Sequence, residues 1–190
     1  KNSVLGSGML PPIPHHLPLW LANVAGYWQR KYDANATIPR LTDIDLMDLY
    51  IEAPHLFIAD RIEQADTEFG HVYRWRYWGT AVRNLTGVET TGKLLHETHQ
   101  AQGAAEAIAD YDAVLAEGRP SYWKRNVRTM AEDRSFLRYE RIVFPLSASA
   151  GTTGHILGVC VFDNPAYAAI RTGEELSPGK IGLFETDPEC

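Results

Sequence analysis

A chain of 190 residues suits one domain with short appended segments, and 45% apolar residues are ample for a core. Eighteen Lys and Arg against 24 Asp and Glu leave a net charge of −6, which argues against nucleic acid or an anionic membrane as the main partner. The two cysteines, Cys160 and Cys190, form neither a disulfide framework nor a zinc spacing. A reducing, cytoplasmic setting is therefore expected, and no apolar run approaches the roughly 18 residues of a membrane span.

In chain order, residues 1–16 hold Gly6, Gly8, Pro11, Pro12 and Pro14 and read as an irregular lead-in. Leu17, Trp20, Leu21, Val24, Tyr27 and Trp28 then recur at three- and four-residue spacing, which predicts an amphipathic helix over 17–31 with Pro18 in its first turn. Asp33–Pro39 is a polar break. Asp43 or Asp45 is placed to cap a short helix ending near Tyr50, before Pro54.

Two strands are predicted next, His55–Ile62 and Phe69–Trp78. In the second, His71, Tyr73, Trp75 and Tyr77 share one parity, and Arg74 and Arg76 share the other with Val72 and Trp78. This alternation is that of a half-buried antiparallel strand. Short helical pieces lie between Gly79, Gly87 and Gly92. An Ala-rich helix over 99–117, with Ile108, Tyr111 and Leu115 on one stripe, stops at Gly118.

Strands follow at 121–130, Phe136–Leu146 and His155–Phe162. The last is apolar on both parities, so it belongs in the middle of a sheet with both faces covered. Helix 17–31 is the natural cover for the second face. Two strands, a helical middle and three strands make an α+β domain with an antiparallel sheet. Pro165–Arg171 suits a short helix, and residues 164–190 as a whole read as a tail.

The segment Phe69-Gly-His-Val-Tyr-Arg-Trp-Arg-Tyr-Trp-Gly-Thr80, followed by Leu85-Thr-Gly87 and Thr91-Gly92, resembles the bacterial PAS subfamily PAS_5. Gly118-Arg-Pro120 and Tyr139-Glu-Arg-Ile-Val-Phe-Pro-Leu-Ser147 are similar to later segments of that family, and helix 17–30 with Pro39-Arg40 to its opening. The likeness runs over residues 17–163. It implies a PAS-like five-stranded antiparallel sheet in the order 2-1-5-4-3, with helices on one face beside the N-terminal helix. It also implies a sensory or signalling role, with no ligand specified. A flavin photosensor of this fold needs a reactive cysteine on the helix after the second strand, whereas Cys160 lies on the final strand.

Tyr73, Trp75 and Tyr77 have two readings: core packing, or the wall of a pocket under a curved sheet. In the second reading Tyr122, Tyr139 and Arg141 add hydroxyls and a cation. A buried guanidinium has to meet a carboxylate, either of a small anionic ligand or of an internal acid. Trp20, Leu21, Val24 and Trp28 either cover the sheet or form a homodimer interface, and a homodimer is expected. With a tail too short for an effector domain, the signal is expected to pass by contact with another protein.

His96-Glu97-Thr98-His99 falls one residue short of the zinc-protease spacing and lacks a third ligand. A metal-dependent enzyme acting through His96, Glu97 and His99 is thus the third reading, behind a ligand-binding sensor and a ligand-free interaction module. No catalytic residue, metal or cofactor is assigned.

Overall fold

The computed structural model describes residues 13–86, 89–99, 101–128, 136–149, 151–163 and 185–186. Helix α1 (Leu19–Asn35) starts after Pro18 and ends at Ala36, whose φ of 50° closes it in the left-handed region. The expected short helix before Pro54 is instead two 3-10 turns, Leu41–Asp43 and Ala53–His55, joined by further turns. Strands β1 (Leu56–Glu63) and β2 (His71–Trp78) follow. The helical middle consists of α2 (Thr80–Thr86), α3 (Leu95–Thr98) and α4 (Ala101–Glu117). Strands β3 (Ser121–Arg128), β4 (Phe136–Leu146) and β5 (Gly154–Asp163) complete the predicted set.

The strands form one antiparallel sheet in the order β2-β1-β5-β4-β3, as expected from the resemblance. One element departs from expectation. Glu185–Thr186, placed by the sequence in the polar tail, forms β6 against Val127 and Arg128 and covers part of the β3 edge. The predicted helix at Pro165–Arg171 lies outside the described residues.

Both faces of the sheet are covered, and the two sides differ chemically. On one side α1 lays Leu21, Val24, Tyr27 and Trp28 over Leu56, Ile58, Ile142, Phe144, Leu157 and Val159. Trp28 Nε1 donates to the Pro145 carbonyl at 2.9 Å, and its ring stacks on Tyr32 and Phe144. The other side is richer in rings, with Phe57, Tyr73, Trp75 and Trp78 packed beneath α2–α4 and against Tyr111 of α4. These contacts correct one expectation: Leu21, Val24 and Trp28 are buried within the chain and cannot form a dimer face. Trp20, the fourth residue of that set, is partly buried and lies 4.0 Å from the His55 ring.

The predicted alternation of β2 breaks near its end. Ile58 pairs with Tyr77, but Ala59 pairs with Trp75, so Arg76 is the extra residue of a β-bulge. One added residue exchanges the faces of everything beyond it. Tyr77 therefore packs on the α1 side, its hydroxyl donating to the Ala53 carbonyl at 3.0 Å, while Trp78 joins Trp75 on the ring-rich side.

Candidate functional site

A cavity of about 70 Å³ remains between the sheet and α4 on the ring-rich side. Its walls are aromatic: Phe57, Trp75, Trp78, Tyr111, Trp123, Tyr139 and Phe162. Each strand contributes by register. Phe57 stands opposite Trp78, Trp123 opposite Arg141, Tyr139 opposite Phe162, and Arg141 opposite Cys160. Gly103 and Ala107 on α4 leave room above them.

Of the six residues proposed from the sequence to hold a ligand, Trp75, Tyr139 and Arg141 line this cavity. Tyr73 is on the same face but fills core beside it, its hydroxyl donating to Asp112 Oδ1 at 2.9 Å. Tyr77 and Tyr122 are corrections. The bulge turns Tyr77 away, and Tyr122 has the opposite parity to Arg141's partner Trp123, so it packs on the α1 side and donates to Glu140 Oε2 at 2.9 Å. The sequence reading missed Phe57, Trp78, Trp123 and Phe162 on the walls.

Arg141 is the electrostatic centre. Its side chain is 9% exposed, and Nη2 donates to Asp110 Oδ2 at 2.8 Å. The guanidinium lies over the rings of Trp123 at 4.6 Å and Tyr111 at 5.3 Å, a cation–π arrangement. Asp110, its second oxygen accepting from Ser121 Oγ at 2.8 Å, is the internal acid that the sequence had left as one of two options. Charge balance therefore asks no anion of a ligand. Two buried donors at the walls, Arg141 Nε and Trp78 Nε1, have no hydrogen-bond partner among the described residues. Each costs free energy until an acceptor meets it.

His99 and Cys160 add two groups held neutral. Burial, and next the Arg141 charge, push the His99 imidazole from its ordinary 6.5 down to about 4. Burial likewise pushes the Cys160 thiol up to about 11, and its sulfur lies 3.4 Å from the Tyr139 hydroxyl. His96 is exposed, and Glu97 is spent on the α3 start, where Oε2 accepts from the Leu94 amide at 2.8 Å. The zinc-like triplet is thus divided between solvent, a helix cap and the cavity. Among the described residues, no group of three His, Cys, Asp or Glu is placed to hold a metal ion.

The shift of His99 has a measurable consequence. The unfolded chain binds this proton below about 6.5, but the folded chain resists it down to about 4. Its contribution to stability is therefore complete above about 6.5 and is lost as pH falls through that window. The slope should be at most about 1.4 kcal/mol per pH unit. Urea denaturation at about pH 7 and about pH 5 should show a smaller loss in His99→Gln than in the parent; equal losses would contradict the shift.

A two-sided antiparallel sheet with an aromatic-walled hollow under its helices is an α+β domain architecture. The chain belongs to the PAS domain family, PAS_5, whose model matches residues 19–161. PAS domains are in general modules of sensing and signalling. Among solved structures, the chain is similar to a light-oxygen-voltage domain studied with a flavin analogue, with 16% identity, a TM-score of 0.40, and coverage of 67% of this chain and 90% of that one. A PAS domain from Colwellia psychrerythraea gives 14% identity and a TM-score of 0.36 over 62% and 96% of the two chains. A sensory box histidine kinase/response regulator from Burkholderia thailandensis gives 15% and 0.36 over 68% and 95%. Among curated proteins none matches. No helix of the described residues is long and apolar enough to cross a membrane.

Proposed function

We propose that this domain is a sensory or regulatory module that takes a small organic molecule into the cavity, without catalysis there, and passes the signal by protein contact. The observation that carries the reading is the pair of unpartnered buried donors, Arg141 Nε and Trp78 Nε1, on two residues that line an aromatic-walled hollow. Apolar walls with a few convergent polar groups are the usual make-up of a small-ligand site. The occupant implied is flat, to lie among rings, and carries hydrogen-bond acceptors. It need not be anionic, because Asp110 already neutralises Arg141.

Size limits the choice. An engineered apolar cavity of about 150 Å³ takes benzene, and this one has about 70 Å³. The hollow thus admits a compact group, or one end of a longer molecule that leaves past His99, Glu106 and Trp123, which are only partly buried. Self-association is retained in the proposal, but on the solvent side of α1, where Leu19 is 71% exposed.

The test is native mass spectrometry of protein purified without denaturation, beside Ala107→Leu, which fills the hollow from α4. A bound mass in the parent that is lost in a folded Ala107→Leu variant is the expected result. A ligand-free parent, unshifted in melting temperature by any member of a metabolite panel, would support the interaction-module reading instead.

A further inference from the structure

A second cluster lies on the α1 side of the sheet, away from the cavity, at the turn between β4 and β5. His155 is fully buried, and its Nδ1 lies 2.8 Å from Asp60 Oδ1. Its Nε2 lies 2.7 Å from Ser149 Oγ and 3.1 Å from Thr152 Oγ1. Asp60 is itself buried and accepts from Arg76 Nε at 2.7 Å, with Arg74 Nη2 at 3.8 Å.

The proton positions follow from these partners. Against its burial, hydrogen bonds from His155 and Arg76 hold the Asp60 carboxyl below the usual carboxylate range, so it accepts, and His155 carries a hydrogen on Nδ1. In the neutral imidazole Nε2 is then the acceptor. Thr152 Oγ1 donates to the Ser149 carbonyl at 3.2 Å and lies 3.3 Å from Ser149 Oγ, and the Ser149 hydroxyl is the nearer of the two to Nε2. Ser149 is exposed to solvent, while the two groups behind it are not. Nucleophile, base and orienting acid stand in the serine–histidine–aspartate relation, which is recognised by geometry and not by sequence position.

We propose that Ser149 is an activated nucleophile, with His155 as its general base and Asp60 as the residue that positions the base, and that it accepts acyl groups from small activated esters. In the step, Ser149 Oγ bonds to the acyl carbon as the bond from that carbon to its leaving group breaks. The serine proton passes to His155 Nε2 and from there to the departing oxygen. Water then attacks the acyl carbon, giving a proton to His155 Nε2; the carbon–Oγ bond breaks, the acyl group leaves as a carboxylic acid, and the proton returns from Nε2 to Ser149 Oγ. Arg76 shares Oδ1 with His155 and so weakens the pull of Asp60 on the imidazole. Activated esters, whose leaving groups depart most easily, ask least of such a site and are the substrate class proposed. This site does not depend on the cavity or on what fills it.

The test uses the whole chain with p-nitrophenyl acetate and with a fluorophosphonate, which releases fluoride and leaves a stable phosphonyl serine. Peptide mass spectrometry should place the adduct on Ser149, forming at least tenfold faster than on any other serine. It should vanish in Ser149→Ala and in urea-unfolded parent. Because Ser149 is exposed, Ser149→Ala is expected to fold, and a native circular dichroism spectrum is required of it. No adduct on folded parent, adducts spread evenly over several serines, or an unchanged rate in Ser149→Ala would each overturn the proposal.

Discussion

Asp110→Ala is expected to cost about 3–5 kcal/mol of stability, because it strands a buried cation. Arg141 keeps only 7% of its surface exposed, and Asp110 receives both its Nη2 and the Ser121 hydroxyl. Taking the carboxylate away leaves the guanidinium desolvated, with the Trp123 and Tyr111 rings and a 3.5 Å hydrogen bond from Nη1 to the Tyr111 hydroxyl as its remaining compensation. A desolvated ring face returns on the order of 2 kcal/mol, less than the loss expected from stranding the charge. Pairing the change with Arg141→Met should recover most of the loss, since replacing a buried pair by apolar groups of like volume is often neutral. Denaturant midpoints at constant slope are the measurement. A loss under about 1 kcal/mol in the single variant would mean that the pair is solvated.

Gly158→Ala is expected to cost about 1–3 kcal/mol or more, the usual range for overpacking a core. Gly158 lies in central strand β5, opposite Phe57 of β1 and Val143 of β4. A methyl group there would stand 2.0 Å from Phe57 Cζ and 2.3 Å from Cε1. The ring has nowhere easy to go. It meets Trp75 edge-on at 5.6 Å and is tilted against Trp78 at 5.9 Å and Tyr111 at 6.3 Å. Phe57→Leu on the same background should restore part of the stability, because it trims the atoms that collide. If the double variant is no better than the single one, the strain arises elsewhere. The same crowding explains a glycine in an otherwise apolar strand: another side chain crosses the backbone closely there.

Much of the architecture was legible in the sequence because it rests on local patterns. The two-sided apolarity of His155–Phe162 placed that strand at the sheet centre, and β5 is indeed flanked by β1 and β4. The spacing of Leu21, Val24 and Trp28 marked the helix that covers the second face. Side-chain direction was harder to read. Nothing in Tyr73–Trp78 announces a bulge, since neither glycine nor proline sits there. The register shift comes from long-range pairing with Ile58 and Ala59. Tyr122 and Trp123 are neighbours of equal bulk, and only the pairing of Trp123 with Arg141 decides which one faces the hollow.

Asp110 did carry a signal. It falls three residues after Ala107 and four before Val114, on the buried stripe of α4, where a lone carboxylate calls for a cation. The contact of Ser149 with His155 carried none, because it joins a turn to a buried strand position by tertiary geometry alone. The pairing of Glu185–Thr186 with β3 was likewise invisible in two polar residues.

The unequal stocking of the two sides of the sheet gives the molecule an optical gauge of its own interior. Three of the five indoles, Trp75, Trp78 and Trp123, border the hollow, whereas Trp28 lies on the opposite side against Phe144. Emission from the first group would respond to an occupant of the hollow, whereas Trp28 is separated from the hollow by the sheet.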